Sequence, residues 1–244
     1  PCSEIQGMRK ITCAYEGENF LFPIKRFKEK IIKHKPKLIF ICNPNNPTGT
    51  VLSAQEIIRF ANLNKKSLIV VDELYEKFNG DSLLPFIDFN KIKNIVIIQS
   101  LSKTAGLAGL RMGFAFGHKH IIQYINKVTG PYDVNSFAVT ATLAALNDKA
   151  YIENYVSEVK NAREWIKKKF ESTKIRNHFS GGNYFLIWPN KSPKILIEEM
   201  REKGILIRSM KNKKDIGDSI RVSIGTQNQM SIFWNTYKEL DLEN

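Results

Sequence analysis

Three apolar runs without polar alternation, "KLIFIC" (37–42), "SLIVV" (67–71) and "NIVIIQ" (94–99), constrain the fold most tightly. Strands with one solvated face alternate apolar and polar residues, whereas strands buried on both faces of a parallel sheet do not. Between the first two runs lies "SAQEIIRFANLNKK". There Ser53 and Glu56 have the spacing of a capping box, and Ile57, Ile58, Phe60 and Ala61 supply an apolar stripe. Strand, helix, strand is a βαβ unit, so the expected class is α/β, a mostly parallel sheet flanked by helices. A fourth run, "RMGFAFG" (111–117), extends the set.

After "GPYDVN" the pattern changes. "SFAVTATLAALND" reads as a long apolar helix with Ser136 at its cap, and "YIENYVSEVKNAREWIKKKF" as a charged amphipathic one. Strand-like "NYFLIWP", helical "SPKILIEEMREKG", strands "ILIRSM" and "SIRVSIG" and a last helix "QNQMSIFWNTYKEL" come next. The shorter, half-polar runs fit a smaller α+β domain, which places a boundary near residue 147 and gives units 1–147 and 148–244. No internal repeat or low-complexity linker separates them.

At 244 residues with 43% apolar content, the chain can bury a real core, which excludes disordered and small disulfide-scaffold classes. No apolar run approaches the roughly 20 residues of a membrane span, and "PCSEIQGMRK" lacks a signal-peptide core. A soluble cytoplasmic protein with no membrane partner is expected. Cys2, Cys13 and Cys42 are odd in number and have no nearby histidines, so reduced, mostly buried thiols are expected, with neither disulfide framework nor zinc site. His34, His118, His120 and His178 are scattered; the His118 and His120 pair has the alternation of a strand or turn, and no metal is expected. The net charge of +13 raises the question of nucleic acid. In the densest stretch, "KRFKEKIIKHKPK", however, Ile24, Phe27, Ile31 and Ile32 fall at helical spacing, so the lysines read as a solvated helix face. No nucleic-acid partner is expected.

The segments after the strands carry the chemistry. The first strand runs into "NPNNPTG", the second into "DELY" and the third into "SLSKTAGLAGLRMGF". Ligands of open α/β sheets sit beyond the carboxyl ends of the strands, so all three segments converge on one edge. Lys103 is not a P-loop lysine, because the spacing G-x-x-x-x-G-K-[ST] is absent. A partly buried lysine with a depressed pKa forms an imine with an aldehyde. Ser100, Ser102 and Arg111 offer two hydroxyls and a fixed cation to a phosphate. Aldehyde plus phosphate points to pyridoxal 5'-phosphate, whose ring nitrogen needs a carboxylate partner, and Asp72 directly after "SLIVV" is placed for that. Tyr75 could reach the ring oxygen. Taken singly, Asp72 reads as a cap, Tyr75 as core and Asn46 as a turn residue; their order and common sheet edge make the set.

"NPNNPTG", "DELY" and "SLSKTAGLAGLRMGF", in this order, resemble the signature set of the fold-type I, class I/II pyridoxal-phosphate aminotransferases, and most closely the histidinol-phosphate aminotransferase group. The resemblance covers nearly the whole chain. It implies that Lys103 forms the imine and shuttles the proton, that Asp72 pairs with the pyridine nitrogen, and that Tyr75 and Asn46 hydrogen-bond the ring oxygen. Arg111, Ser100 and Ser102 would hold the cofactor phosphate. "RVSIGT" resembles the family's substrate-arginine segment, so Arg221, with Asn46, would bind the substrate's carboxylate or phosphate. Asn183 and Arg208 match positions near the substrate. The implied activity is amino transfer in amino-acid biosynthesis, between a small, phosphorylated amine or amino acid (histidinol phosphate foremost) and a 2-oxo acid such as 2-oxoglutarate. The implied assembly is a homodimer.

Complete family members carry a large segment ahead of the match to "PCSEIQG", which supplies the sheet's first strand, a ring-stacking aromatic and part of the phosphate cradle. The large domain is therefore expected to be incomplete at its N-terminus, and the 244-residue chain alone is expected to bind the cofactor poorly. "GPYDVNSFA" and "ILIRSM" also resemble the related decarboxylases of O-phosphorylated serine or threonine. A third reading, an aminotransferase-like domain of a transcription regulator, lacks a DNA-binding helix pair.

Overall fold

The computed structural model describes residues 2–79 and 82–243, with the side chains of Cys2 and Ser3 excepted. In chain order residues 2–147 contain α1 (Cys2–Ile5), α2 (Ile24–His34), β1 (Leu38–Cys42), α3 (Ala54–Leu63), β2 (Leu68–Asp72), α4 (Glu76–Asn79), β3 (Ile95–Gln99), β4 (Phe114–Gly117), α5 (Lys119–Asn126) and α6 (Ser136–Asn147). Their sheet runs β1-β2-β3-β4, parallel across the first three strands and antiparallel at β4. Ser53 caps α3 by accepting the Glu56 amide. Ile57, Phe60 and Ala61 of α3 pack on Ile39, Ile41, Ile69, Val71, Ile95 and Ile97, all buried.

Burial on both faces holds for β2, where Val70 and Val71 are both covered, but not for β1. Side chains alternate along a strand, so Phe40, which is 65% exposed, and Cys42 share the face of β1 opposite Ile39 and Ile41. Cys42 is therefore exposed and Cys13 half-buried, correcting the expectation of buried thiols; the Cys2 thiol lies outside the described side chains. In α2, Ile31 is buried and Phe27 packs 4.9 Å from the Phe60 ring, whereas Ile32 is exposed, so the apolar stripe is narrower than the spacing indicated. His118 and His120 start a helix rather than alternating in a strand: His118 caps α5, and the His120 amide donates to its Nδ1. Asn135, not Ser136, caps α6 by accepting the Ala138 amide at 2.8 Å.

The rest of the chain forms α7 (Lys149–Glu171), β5 (Arg176–Phe179), β6 (Tyr184–Trp188), α8 (Pro193–Glu202), β7 (Arg208–Ser209), β8 (Ile220–Ser223) and α9 (Gln227–Tyr237). Its antiparallel sheet has the order β5-β6-β8-β7. Ile152, Val156, Val159, Ala162, Ile166 and Phe170 recur every three or four residues along α7 and form its buried stripe. Four residues of β6 are buried, so this strand is core on both faces rather than half-polar. Polar β5 has no counterpart among the strands expected from the sequence, and of "ILIRSM" only Arg208 and Ser209 pair as a strand. Tyr75 and Phe78, from the segment after β2, pack into this second core. No helix among the described residues is long and apolar enough to cross a membrane.

Candidate functional site

The register Cys42↔Asp72↔Ile98 aligns the carboxyl ends of β1, β2 and β3. The turn after β1 is fixed by buried Asn43, whose side chain donates to the Leu52 carbonyl (3.0 Å) and accepts the Leu52 amide (2.8 Å). Within the turn, Asn45 Nδ2 donates to Thr48 Oγ1. Gly49 sits at φ +71°, and a Cβ there would stand 2.8 Å from Ser180 Cβ, so only glycine lets the turn meet the second sheet.

On this turn Asn46 is exposed and links two other residues. Its Nδ2 donates to the Tyr75 hydroxyl at 2.8 Å, and its Oδ1 accepts from Arg221 Nη1 at 2.9 Å. The Lys103 ammonium lies 5.7 Å from the Tyr75 ring centroid. Asn46, Tyr75, Lys103 and Arg221 are thus brought together from four separate segments. Arg221 Nε is buried without a partner, and burial lowers the guanidinium's pKa. Arg208 stands directly opposite Arg221 in the β7–β8 ladder and lowers it further. Burial pushes the Tyr75 hydroxyl up, opposed by Arg221 and by the Asn46 hydrogen bond.

Asp72 ends β2, half-buried, with Oδ1 accepting the Leu74 amide at 3.1 Å. Burial raises its pKa, and the Leu74 hydrogen bond partly offsets that. Beyond β3, Ser100 and Ser102 place their hydroxyls 2.7 Å apart, and Ser100 also donates to the Met112 carbonyl. Met112 is the residue after Arg111, so this bond closes the loop carrying Lys103. Arg111 holds a left-handed backbone (φ 57°), and its exposed guanidinium donates to the Ala108 carbonyl within its own turn. The structure therefore pairs the two serines directly and connects Arg111 to them through the backbone at Met112. Asn183 contributes its carbonyl, which accepts the Ile224 amide at 2.7 Å.

Two groups at the site were not singled out by sequence. Glu73, fully buried beside Asp72, accepts from the Leu83 amide (2.7 Å), Ser82 Oγ (2.7 Å) and Gln99 Nε2 (2.9 Å), tying the ends of β2 and β3 together. A second acidic residue, immediately after Asp72 at the end of a buried run, was the available signal. Tyr184, fully buried in β6, donates its hydroxyl to the Asn45 carbonyl at 2.6 Å, and Arg221 lies 5.5 Å over its ring. In "NYFLIW" it is indistinguishable from an ordinary strand aromatic. Among the described residues no cluster of three or more His, Cys, Asp or Glu could hold a metal ion.

Comparison with known proteins identifies the family. The profile of the family "Aminotransferase class I and II" matches residues 2–235. The histidinol-phosphate aminotransferase of Caldanaerobacter subterraneus subsp. tengcongensis is 30% identical over 238 residues, covering 98% of this chain and 66% of the relative. The crystal structure of the histidinol-phosphate aminotransferase from Clostridium acetobutylicum superposes with a TM-score of 0.87 at 24% identity, covering 98% of this chain and 73% of that one. L-threonine-O-3-phosphate decarboxylase from Porphyromonas gingivalis superposes at 0.72 and 26% identity, over 83% of this chain and 64% of that one. The chain spans 57–66% of the length of the curated relatives it matches. With the profile running nearly end to end over the three strand-end segments, the chain belongs to the class I and II aminotransferase family.

Proposed function

We propose that the protein transfers an amino group between a small phosphorylated amine or amino acid, histidinol phosphate foremost, and a 2-oxo acid such as 2-oxoglutarate, using pyridoxal 5'-phosphate. The observation that carries this reading is the arginine pair at the end of the Tyr75–Asn46–Arg221 chain. Two guanidinium-bearing residues stand opposite one another across β7 and β8, and one has a buried N–H without a partner. A doubly charged phosphate meets that demand better than a single carboxylate does.

The residues present fit the cofactor. Asp72 is a half-buried carboxylate whose negative charge burial disfavours, and a protonated ring nitrogen beside it would remove that penalty. Tyr75 and Asn46 offer donors for the ring oxygen, the paired Ser100 and Ser102 hydroxyls with Arg111 suit the phosphate, and Lys103 suits the aldehyde. When bound, pyridoxal 5'-phosphate supplies a carbonyl for the donor amine and a ring that accepts electron density from the donor carbon. Lys103 Nζ takes the proton from the donor carbon and returns it. Arg221 and Arg208 anchor the far, anionic end of the donor, and Asn46 holds Arg221 in line with Tyr75.

A homodimer is part of the proposal. Tyr132 (91% exposed), Phe137 (82%), Leu143 (56%) and Val134 (49%) leave apolar surface along α6 and the segment before it. The division between the two units is placed near residue 147, between α6 and α7. The test is spectroscopic: full-length protein with pyridoxal 5'-phosphate should show a visible band, borohydride should fix the cofactor to Lys103, and Lys103→Ala should show neither. Absence of the band would defeat the proposal. Release of carbon dioxide from phosphothreonine, without glutamate formation from 2-oxoglutarate, would replace amino transfer by decarboxylation.

A further inference from the structure

Asn46 presents a mechanical problem. It lies on an exposed turn, yet its amide must hold one rotamer between Tyr75 and Arg221, and ordering an exposed side chain costs entropy. The second sheet and its β5–β6 turn address this through donors that all end on backbone carbonyls of the 45–49 turn. Tyr184 Oη donates to Asn45 O (2.6 Å), His178 Nε2 to Thr48 O (2.8 Å), and Ser180 Oγ and the Gly181 amide to Gly49 O (2.8 and 3.0 Å). Tyr184 grips the peptide that leads directly into Asn46.

The same ring touches both of Asn46's partners. The Tyr75 ring meets it edge-on with centroids 5.1 Å apart, and the Arg221 guanidinium lies 5.5 Å from its centroid. The ladder explains why: Tyr184 pairs with Ser223 and Leu186 with Arg221, so Tyr184 and Arg221 are diagonal neighbours on one face of the sheet.

We infer that Tyr184, Ser180 and His178 are positioning residues that clamp the 45–49 turn to the second sheet and keep Asn46 in line between Tyr75 and Arg221. This rests on the proposed function, in which Arg221 receives the donor's anionic end and Tyr75 faces the cofactor. The clamp makes anion affinity at β8 and the hydrogen bonding of the cofactor ring depend on side chains whose donors end on the backbone of the turn.

Tyr184→Phe removes the hydroxyl and keeps the ring, and Ser180→Ala removes a second clamp donor. In full-length protein, inorganic phosphate affinity measured by calorimetry probes the arginine pair, and pH titration of the visible cofactor band probes Tyr75 and Asn46. Loss of one hydrogen bond predicts phosphate binding about three- to tenfold weaker in Tyr184→Phe, with a smaller loss in Ser180→Ala. Fewer donors on the ring oxygen predict a band midpoint raised by about half a unit. Wild-type phosphate affinity and an unshifted midpoint in both variants would overturn the clamp. A wild-type protein with no band would instead defeat the cofactor reading and leave the phosphate measurement to decide the clamp. Should Tyr184→Phe fail to fold, Ser180→Ala decides alone.

Discussion

Arg221 donates to the Asn46 side-chain oxygen at 2.9 Å, joining two residues 175 positions apart and two separate sheets. Each sheet alone presents a fragment of a site: a turn with an amide, and a strand with a half-buried guanidinium. The bond between them, with those from Tyr184, His178 and Ser180 to the turn, holds the Arg221 guanidinium at a fixed position relative to Tyr75.

Asn46→Ala leaves both the Tyr75 hydroxyl and Arg221 without this partner. We expect a loss of about 1–3 kcal/mol in transition-state binding, or roughly 5- to 150-fold in kcat/KM, measured by steady-state kinetics with the phosphorylated donor. Arg221→Lys should also lose activity, because an ammonium cannot reproduce the planar fork that bonds Asn46 and a ligand together.

Lys103→Ala removes the group proposed to move the proton, and kcat should fall by at least about a hundredfold. Ser100→Ala breaks the bond to Met112 and frees one end of the Lys103 loop; it should weaken cofactor retention, measured by dialysis, far more than it slows single-turnover chemistry.

Asp72→Asn should separate stability from function. Burial raises the carboxyl's pKa in the folded chain above its unfolded value of about 3.9, so folding is favoured by this group below that value and loses that contribution as pH rises through the folded pKa. In cofactor-free protein the asparagine variant should therefore melt at or above the wild-type temperature at neutral pH. The difference should vanish as pH falls below the unfolded value, where both side chains are neutral. Cofactor affinity should fall in the same variant, the trade expected of a site residue.

Glu73→Ala strands the buried Leu83 amide and takes an acceptor from Ser82 Oγ and Gln99 Nε2 at the join of β2 and β3. Denaturant unfolding should show a loss of about 2–4 kcal/mol. Phe137→Glu, on exposed α6, should leave folding intact and convert the proposed dimer to monomer in sedimentation experiments.

The strands of the parallel sheet were legible because burial on both faces leaves a continuous apolar imprint, as in β2. β1 carries the same imprint although Phe40 and Cys42 are exposed, since composition reports what a strand can bury and not what covers it. β5 left no imprint, because Arg176, Asn177 and His178 pair through backbone groups that any residue supplies. Asp72 closes a strand and Asn46, Tyr75 and Lys103 follow strand ends, each in a short motif, so the sequence could show that they lie at one sheet edge. Tyr184 and Glu73 were not legible: one hides in an apolar strand, and the other acts through bonds to residues far along the chain.

Amino transfer is decided by glutamate formation from 2-oxoglutarate, measured on full-length protein loaded with pyridoxal 5'-phosphate, with histidinol phosphate as donor. Glutamate should appear in step with donor consumed, be lost in Lys103→Ala and be reduced in Arg221→Lys. Glutamate formation unchanged in Arg221→Lys, or none from any phosphorylated donor, would contradict the proposed function.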